Sequence, residues 1–282
     1  MDCWRLLKRI GNCCIVALLC ACALQSPEQR RLNATQIAAQ AGWQRQLVSA
    51  APFNLVAYRP ALFPALVTTL TVYIEGDGVA WINRSLVSLD PTPQDPIALK
   101  LALRDPSATA IYLARPCQYV DEQEAQACGL TWWTQQRFAP TVVQAMSHAI
   151  DVLQQQTGAQ HLVLVGYSGG GALAALIAAQ RTDVALLLTV AGNLDHVAWT
   201  RLHRVAPLTG SLNPADEWRA LADIPQQHWV GGQDMIVPVA IAQSYAARFP
   251  KQQQPVIQVI PEFDHHCCWE ERWVELLSTV RR

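Results

Sequence analysis

The chain has 282 residues, a formal net charge of −1, 51% hydrophobic residues and 15% charged ones. Such a composition excludes a disordered chain, and the near-zero charge excludes a protein built around a basic nucleic-acid-binding face. The length suits one large domain or two small ones, and nine cysteines are too few for a disulfide-built miniprotein.

Taken from the N-terminus, Cys3, Cys13, Cys14, Cys20 and Cys22 all precede Leu24, and Arg5, Lys8 and Arg9 precede an apolar run over 10–23, interrupted by Gly11 and Asn12. A basic start before a short apolar stretch is the layout of a secretory signal. The run is shorter than the roughly 20 apolar residues of a membrane span. Leu19-Cys20-Ala21-Cys22 resembles the bacterial lipobox, with Leu at −3 and a small residue at −1. That resemblance implies a signal peptide over 1–21, a palmitate-type acyl chain on Cys22, and a protein lipid-anchored to a membrane of the bacterial cell envelope, facing the periplasm. An uncleaved anchor and a plain signal peptide are the alternatives, and both also export the body of the chain.

Residues 22–50 read as a tether and an N-terminal helix: 25–31 is polar, and 33–48 has helical apolar spacing (Ile37, Ala41, Leu47, Val48) behind Asn33 as N-cap. Over 51–282, strand-like runs at 53–58, 69–74, 109–113, 161–165, 185–190, 227–230 and 256–260 alternate with helix-like runs at 96–103, 138–156, 170–180, 239–249 and 270–280. Several of the strand-like runs are continuously apolar or β-branched, as in a sheet buried on both faces. The expected class is α/β, with a mostly parallel central sheet flanked by helices. One stretch, 115–136, departs from the alternation. It holds Cys117, Cys128, Trp132 and Trp133 and reads as an insertion.

The chemistry concentrates in His161-Leu-Val-Leu-Val-Gly166-Tyr167-Ser168-Gly169-Gly170-Gly171. This is strand, Gly-x-Ser-x-Gly, then a helix of small residues, the arrangement that exposes a serine hydroxyl on a sharp turn. A Gly-rich packing turn or a phosphate loop is the bland alternative, and no Gly-Lys-Ser/Thr follows to support the latter. Here the sequence resembles the α/β-hydrolase superfamily, from about residue 53 to the end. The resemblance implies the fold, the order serine–acid–histidine, and an oxyanion hole formed in part by the N–H of Gly169.

Trp229-Val-Gly231-Gly232-Gln233-Asp234-Met-Ile-Val237-Pro238 looks like the acid loop of these hydrolases, so Asp234 is the candidate acid; Asp195, after an earlier strand, competes. Pro261-Glu-Phe-Asp264-His265-His266-Cys267-Cys268 offers two adjacent bases, and matching Pro261 to the proline of the family's loop favours His265 over His266. A metal site at His265–Cys268 is disfavoured, because four consecutive ligands do not readily face one tetrahedral ion. By the same resemblance, Ile74-Glu75-Gly76-Asp77-Gly78 carries the second oxyanion donor, the N–H of Asp77, with Glu75 where histidine is usual. The Asp77 carboxylate is then expected to point away from the oxyanion, and Glu75 or Asp77 to favour a cationic substrate group.

Cys117 and Cys128 make a possible disulfide, with pairing to Cys267 or Cys268 open. Trp132 and Trp133 either wall a substrate pocket or pack the insertion. The expected activity is that of a serine hydrolase, carboxylesterase or lipase-like, cleaving a small-molecule or lipid ester (or thioester) through an acyl-enzyme, without a cofactor. A peptidase, an acyltransferase and a non-catalytic binding lipoprotein on the same scaffold are the alternatives.

Overall fold

The structure, a computed structural model, describes residues 25–280; the expected signal segment and Cys22 lie outside them. Eight strands, β1 (Trp43–Ala50), β2 (Phe53–Pro60), β3 (Thr69–Ile74), β4 (Ala110–Leu113), β5 (His161–Tyr167), β6 (Val184–Val190), β7 (Gln226–Gly231) and β8 (Val256–Ile260), form one sheet in the order β1-β2-β4-β3-β5-β6-β7-β8. β1 and β2 pair antiparallel, as do β2 and β4, and the remaining neighbours are parallel. The central strands are apolar on both faces because helices cover both. These are α1 (Pro27–Gln40), α2 (Ile97–Arg104), α3 (Pro140–Thr157), α4 (Gly169–Ala178), α5 (His196–His203), α6 (Trp218–Leu221), α7 (Val239–Ala246) and α8 (Trp273–Ser278). Side chains of α1, α2 and α8 build the core on one face, and those of α3, α4 and α7 the core on the other.

The expected tether over 25–31 and helix over 33–48 are corrected. Ser26 is the N-cap, its Oγ accepting from Gln29 N at 3.1 Å, and Pro27 occupies the first helical turn. Asn33 lies inside α1. The helix ends at Gln40, Gly42 turns the chain at φ +75°, and Trp43–Ala50 runs as an edge strand paired with β2 along its whole length. The spacing of Ile37, Ala41, Leu47 and Val48 therefore spans two elements. The boundary drawn after residue 50 falls inside the β1–β2 hairpin.

All ten residues of α4 are buried. Glycine and alanine permit that depth: a Cβ on Gly166 would strike Gly170 O, and one on Gly170 the carbonyls of Ile74 and Glu75. The parallel strands β3, β5, β6, β7 and β8 end on one edge of the sheet, where open α/β sheets carry their sites.

Candidate active site

Ser168 joins β5 to α4 at φ 52°, ψ −120°, a conformation that costs a non-glycine residue about 1–3 kcal/mol. The surroundings hold it there. Ser168 N donates to Val190 O at 2.9 Å, and Ser168 O accepts from Gly171 N and Asn193 N, each at 3.0 Å. These bonds fix the turn from three sides and leave Oγ to its side-chain partner.

That partner is His265, on the loop after β8. Its Nε2 lies 2.9 Å from Ser168 Oγ and its Nδ1 lies 2.7 Å from Asp234 Oδ2. Asp234 follows β7 and is buried; its Oδ1 accepts from Ile236 N at 2.8 Å and Val237 N at 2.7 Å. The carboxylate is thus oriented by two backbone donors before it meets the imidazole. With Nδ1–H donated to Asp234, Nε2 carries the lone pair toward the serine, a tautomer assigned from this network. The backbone carbonyl of His265 accepts from Tyr167 OH at 3.0 Å and Trp269 Nε1 at 3.1 Å, which holds the His265 loop over the Ser168 turn. Sequence reading missed Tyr167 and Trp269, although Tyr167 lies inside the Gly-x-Ser-x-Gly motif itself.

The competing residues have other surroundings. Asp195 caps α5, with Oδ1 accepting from Ala198 N at 3.1 Å and Oδ2 from Ser244 Oγ at 2.7 Å. His266 is exposed, and its backbone N donates to Asp264 Oδ1 at 2.8 Å. Cys267 and Cys268 are bonded to each other, so neither pairs with the insertion.

On the other side of Ser168, the loop after β3 packs on the elbow. A Cβ on Gly76 would lie 3.3 Å from Ser168 Cβ, and one on Gly169 would clash with Asp77 Oδ1. The charge of the Asp77 carboxylate is paired. Arg115, immediately after β4 and the next residue, binds Oδ1 through Nη1, and Arg137, just before α3, reaches Oδ2 through Nη1 at 2.5 Å. Arg115 Nη2 also donates to Arg137 O at 2.9 Å, so the two arginines support each other. Burial by itself would raise the Asp77 carboxyl; the charges of Arg137 and Arg115 overcome this and hold it at about 2. Glu75 behaves in the opposite way. It is fully buried, with Oε1 accepting from Gly76 N at 2.9 Å, and burial pushes it up to about 7. No carboxylate of this loop is free to select a cationic substrate, and that expectation is withdrawn. Sequence reading missed both arginines; a charged residue following the buried strand Ala110–Leu113 was the available signal.

The insertion braces this side. Cys117 and Cys128 form a disulfide, and Gln118 Nε2 donates to Gly76 O at 2.9 Å. Trp133 is buried, its indole N–H donating to Ser88 O at 3.0 Å, and Trp132 stands edge-on to Phe53 at 5.5 Å. Both tryptophans pack the insertion.

No protein-family model matches the chain, and no curated protein matches its sequence. Solved structures do. An acylaminoacyl peptidase of Pyrococcus horikoshii superposes with a TM-score of 0.62 at 10% identity, over 84% of this chain and 40% of that one. The chain thus spans about two fifths of that peptidase. The Pyrococcus furiosus esterase Pf2001 superposes at 0.59 and 10% identity, over 92% and 94% of the two chains. The esterase domain of a Rhodothermus marinus protein does so at 0.55 and 13%, over 83% and 94%. At such identities the likeness is one of fold.

Proposed function

On the α/β-hydrolase fold that this chain has, we propose a serine hydrolase that cleaves a carboxylic ester or thioester through an acyl-enzyme. The observation that carries the reading is the bridge of His265 between Ser168 Oγ and Asp234. His265 Nε2 takes the Ser168 proton as Oγ attacks the carbonyl carbon, and Asp234 stabilises the imidazolium. The N–H groups of Gly169, at the first turn of α4, and of Asp77 receive the oxyanion. His265 then protonates the leaving alcohol or thiol, and a water deprotonated by the same nitrogen releases the acid. The paired state of Asp77 supports its backbone as a donor, since an unpaired carboxylate there would oppose the developing negative charge.

The test is labelling by a fluorophosphonate followed by mapping of the modified residue, with turnover measured on ester, thioester and peptide substrates. Labelling of Ser168 with ester or thioester turnover is the expected result. Absence of labelling would leave a binding protein on a hydrolase scaffold, and turnover confined to peptides would make it a peptidase, as the name of one structural neighbour suggests.

The location is also a proposal: cleavage before Cys22, acylation of that cysteine, and attachment to the envelope facing the periplasm. The lipobox-like Leu19-Cys20-Ala21-Cys22 supports it. Among the described residues no helix is long and apolar enough to cross a membrane. Cys22→Ala is expected to change the mature mass and release the protein from the membrane fraction; an unchanged mass and distribution would refute the lipid.

A further inference from the structure

Between the Asp77 loop and α2 the chain makes an excursion that the catalytic reading does not use. Residues 79–91 fold back on themselves: Val79 N donates to Pro91 O, Ser88 N to Ala80 O, and Ile82 N to Leu86 O at 2.8 Å, with Trp81 bridged to Val87. Asn83 Oδ1 closes the tip by accepting from Ser85 N and Leu86 N, each at 3.0 Å. The hairpin is fixed at its base, where Trp133 holds Ser88 O. Its outer side chains are large and apolar. Trp81 is 43% exposed, Ile82 42%, Leu86 55% and Leu89 85%, with exposed Arg84 at the tip. A fixed element that shows water a tryptophan and three aliphatic side chains marks an interaction surface.

The position of α1 bears on the partner. Arg30 donates to Thr92 O, and Arg30 and Arg31 pair with Asp90 at 3.8 and 3.7 Å, tying α1 to the base of the hairpin. Ser26, Pro27 and Leu89 line one cleft. Ser26, four residues after Cys22, therefore lies beside this hairpin. A lipid on Cys22, as proposed above, would be tethered to this same face. The hairpin also leaves the Asp77 loop directly, since Val79 is two residues from the proposed oxyanion donor.

We propose that the hairpin 79–91 contacts a lipid bilayer, placing Trp81, Ile82, Leu86 and Leu89 in the membrane interface so that Ser168 works on esters carried in that membrane. Tryptophan prefers the interfacial zone, where its ring is apolar and its N–H is wet, and Arg84 at the tip can hold its charge at the headgroups while its stem lies in apolar surroundings. One hairpin offers little of the roughly 800 Å² per partner of a standard protein interface. The identity of the substrate in this proposal rests on the hydrolase reading; the membrane contact does not.

The test uses the full chain reconstituted in phosphatidylethanolamine–phosphatidylglycerol vesicles with brominated acyl chains. Wild-type tryptophan emission is expected to be quenched, and the quenched component to fall by about half or more in Trp81→Phe. Equal quenching in the two proteins overturns the proposal and is the result expected if the N-terminal segment or a second copy covers the hairpin instead. In a second arm, Ile82→Ser/Leu86→Ser/Leu89→Ser is expected to lower kcat/KM on a vesicle-borne long-chain ester about tenfold, with a dissolved short-chain ester within about twofold of wild type. Equal loss on both esters, or on neither, overturns it as well. If no ester is hydrolysed at all, the hydrolase reading fails, and the quenching arm still decides the membrane contact.

Discussion

The two sides of Ser168 are held by different means. On the side of β7 and β8, single hydrogen bonds between neighbouring loops run from Ser168 to His265 to Asp234, and two within the Asp234 loop run on to the N–H groups of Ile236 and Val237. On the side of β3, two carboxylates two residues apart are relieved of free charge in opposite ways. Burial keeps Glu75 up at about 7, whereas Asp77 keeps its charge and is held at about 2 by Arg137 and Arg115. The comparison teaches that acidic residues can sit beside Ser168 with little unpaired charge when burial raises one and cations match the other. The matching groups come from distant parts of the chain.

The largest effects should break the first side. Ser168→Ala and His265→Ala are each expected to lower kcat by about 10⁴-fold or more, with the circular dichroism spectrum unchanged; residual activity near wild type would remove either residue from the proposed roles. His266→Ala, by contrast, should stay within about threefold.

The second side should respond next. Arg115→Met leaves Asp77 with one cation in place of two. Breaking a buried pair costs on the order of 3 kcal/mol, and misplacing one oxyanion donor costs about 10²-fold in kcat. Urea unfolding and steady-state kinetics would measure both. A loss of stability with kcat intact would separate the arginine from the positioning of the Asp77 N–H.

Glu75 sharpens the comparison through pH. Its folded value of about 7 lies above the ordinary 4.5, so the folded state binds the proton more tightly than the unfolded one. The stabilisation is complete below about pH 4.5 and is lost as pH rises through 7, by about 3 kcal/mol in all. Glu75→Gln retains an acceptor for Gly76 N and cannot ionise. It is expected to gain about 3 kcal/mol on wild type between pH 4 and pH 8 in urea unfolding. Asp77 has the reverse sign: its folded value of about 2 lies below the ordinary 3.8. Its contribution is present above about pH 4 and lost as pH falls through 2. A wild-type curve with no fall between pH 5 and pH 8 would contradict the burial assigned to Glu75.

The smallest expected effect on turnover comes from the insertion. Cys117→Ser/Cys128→Ser opens a loop of about 12 residues and should remove about 3 kcal/mol on a chain-entropy model, with kcat changed less than about threefold.

The α/β class and the order of the central strands' chemistry were legible because buried parallel strands are apolar runs and the elbow has a fixed local pattern. Ser168, Asp234 and His265 each follow such a run. The edge strand Trp43–Ala50 was not legible: only Val48 and Ala50 of it are buried, so the two-residue alternation was too weak against the helical spacing contributed by Ile37 in α1 and Ala41 just after it. Gly42 was the mark of the break. α5 was also missed, although Asp195 before it is a good N-cap residue. Arg115 and Arg137 stayed hidden because a pairing across 38 and 60 residues of sequence leaves no local pattern.

The buried state of every residue of α4 has a consequence for how the elbow ages and exchanges. A helix with a solvent face can fray and let its neighbours relax, but α4 can open only by parting the sheet from α3 and the rest of that core. Its amides should therefore exchange with solvent deuterium only through near-global opening. The unfavourable backbone geometry of Ser168 has no local escape, and its side chain is held in place for as long as the molecule remains folded.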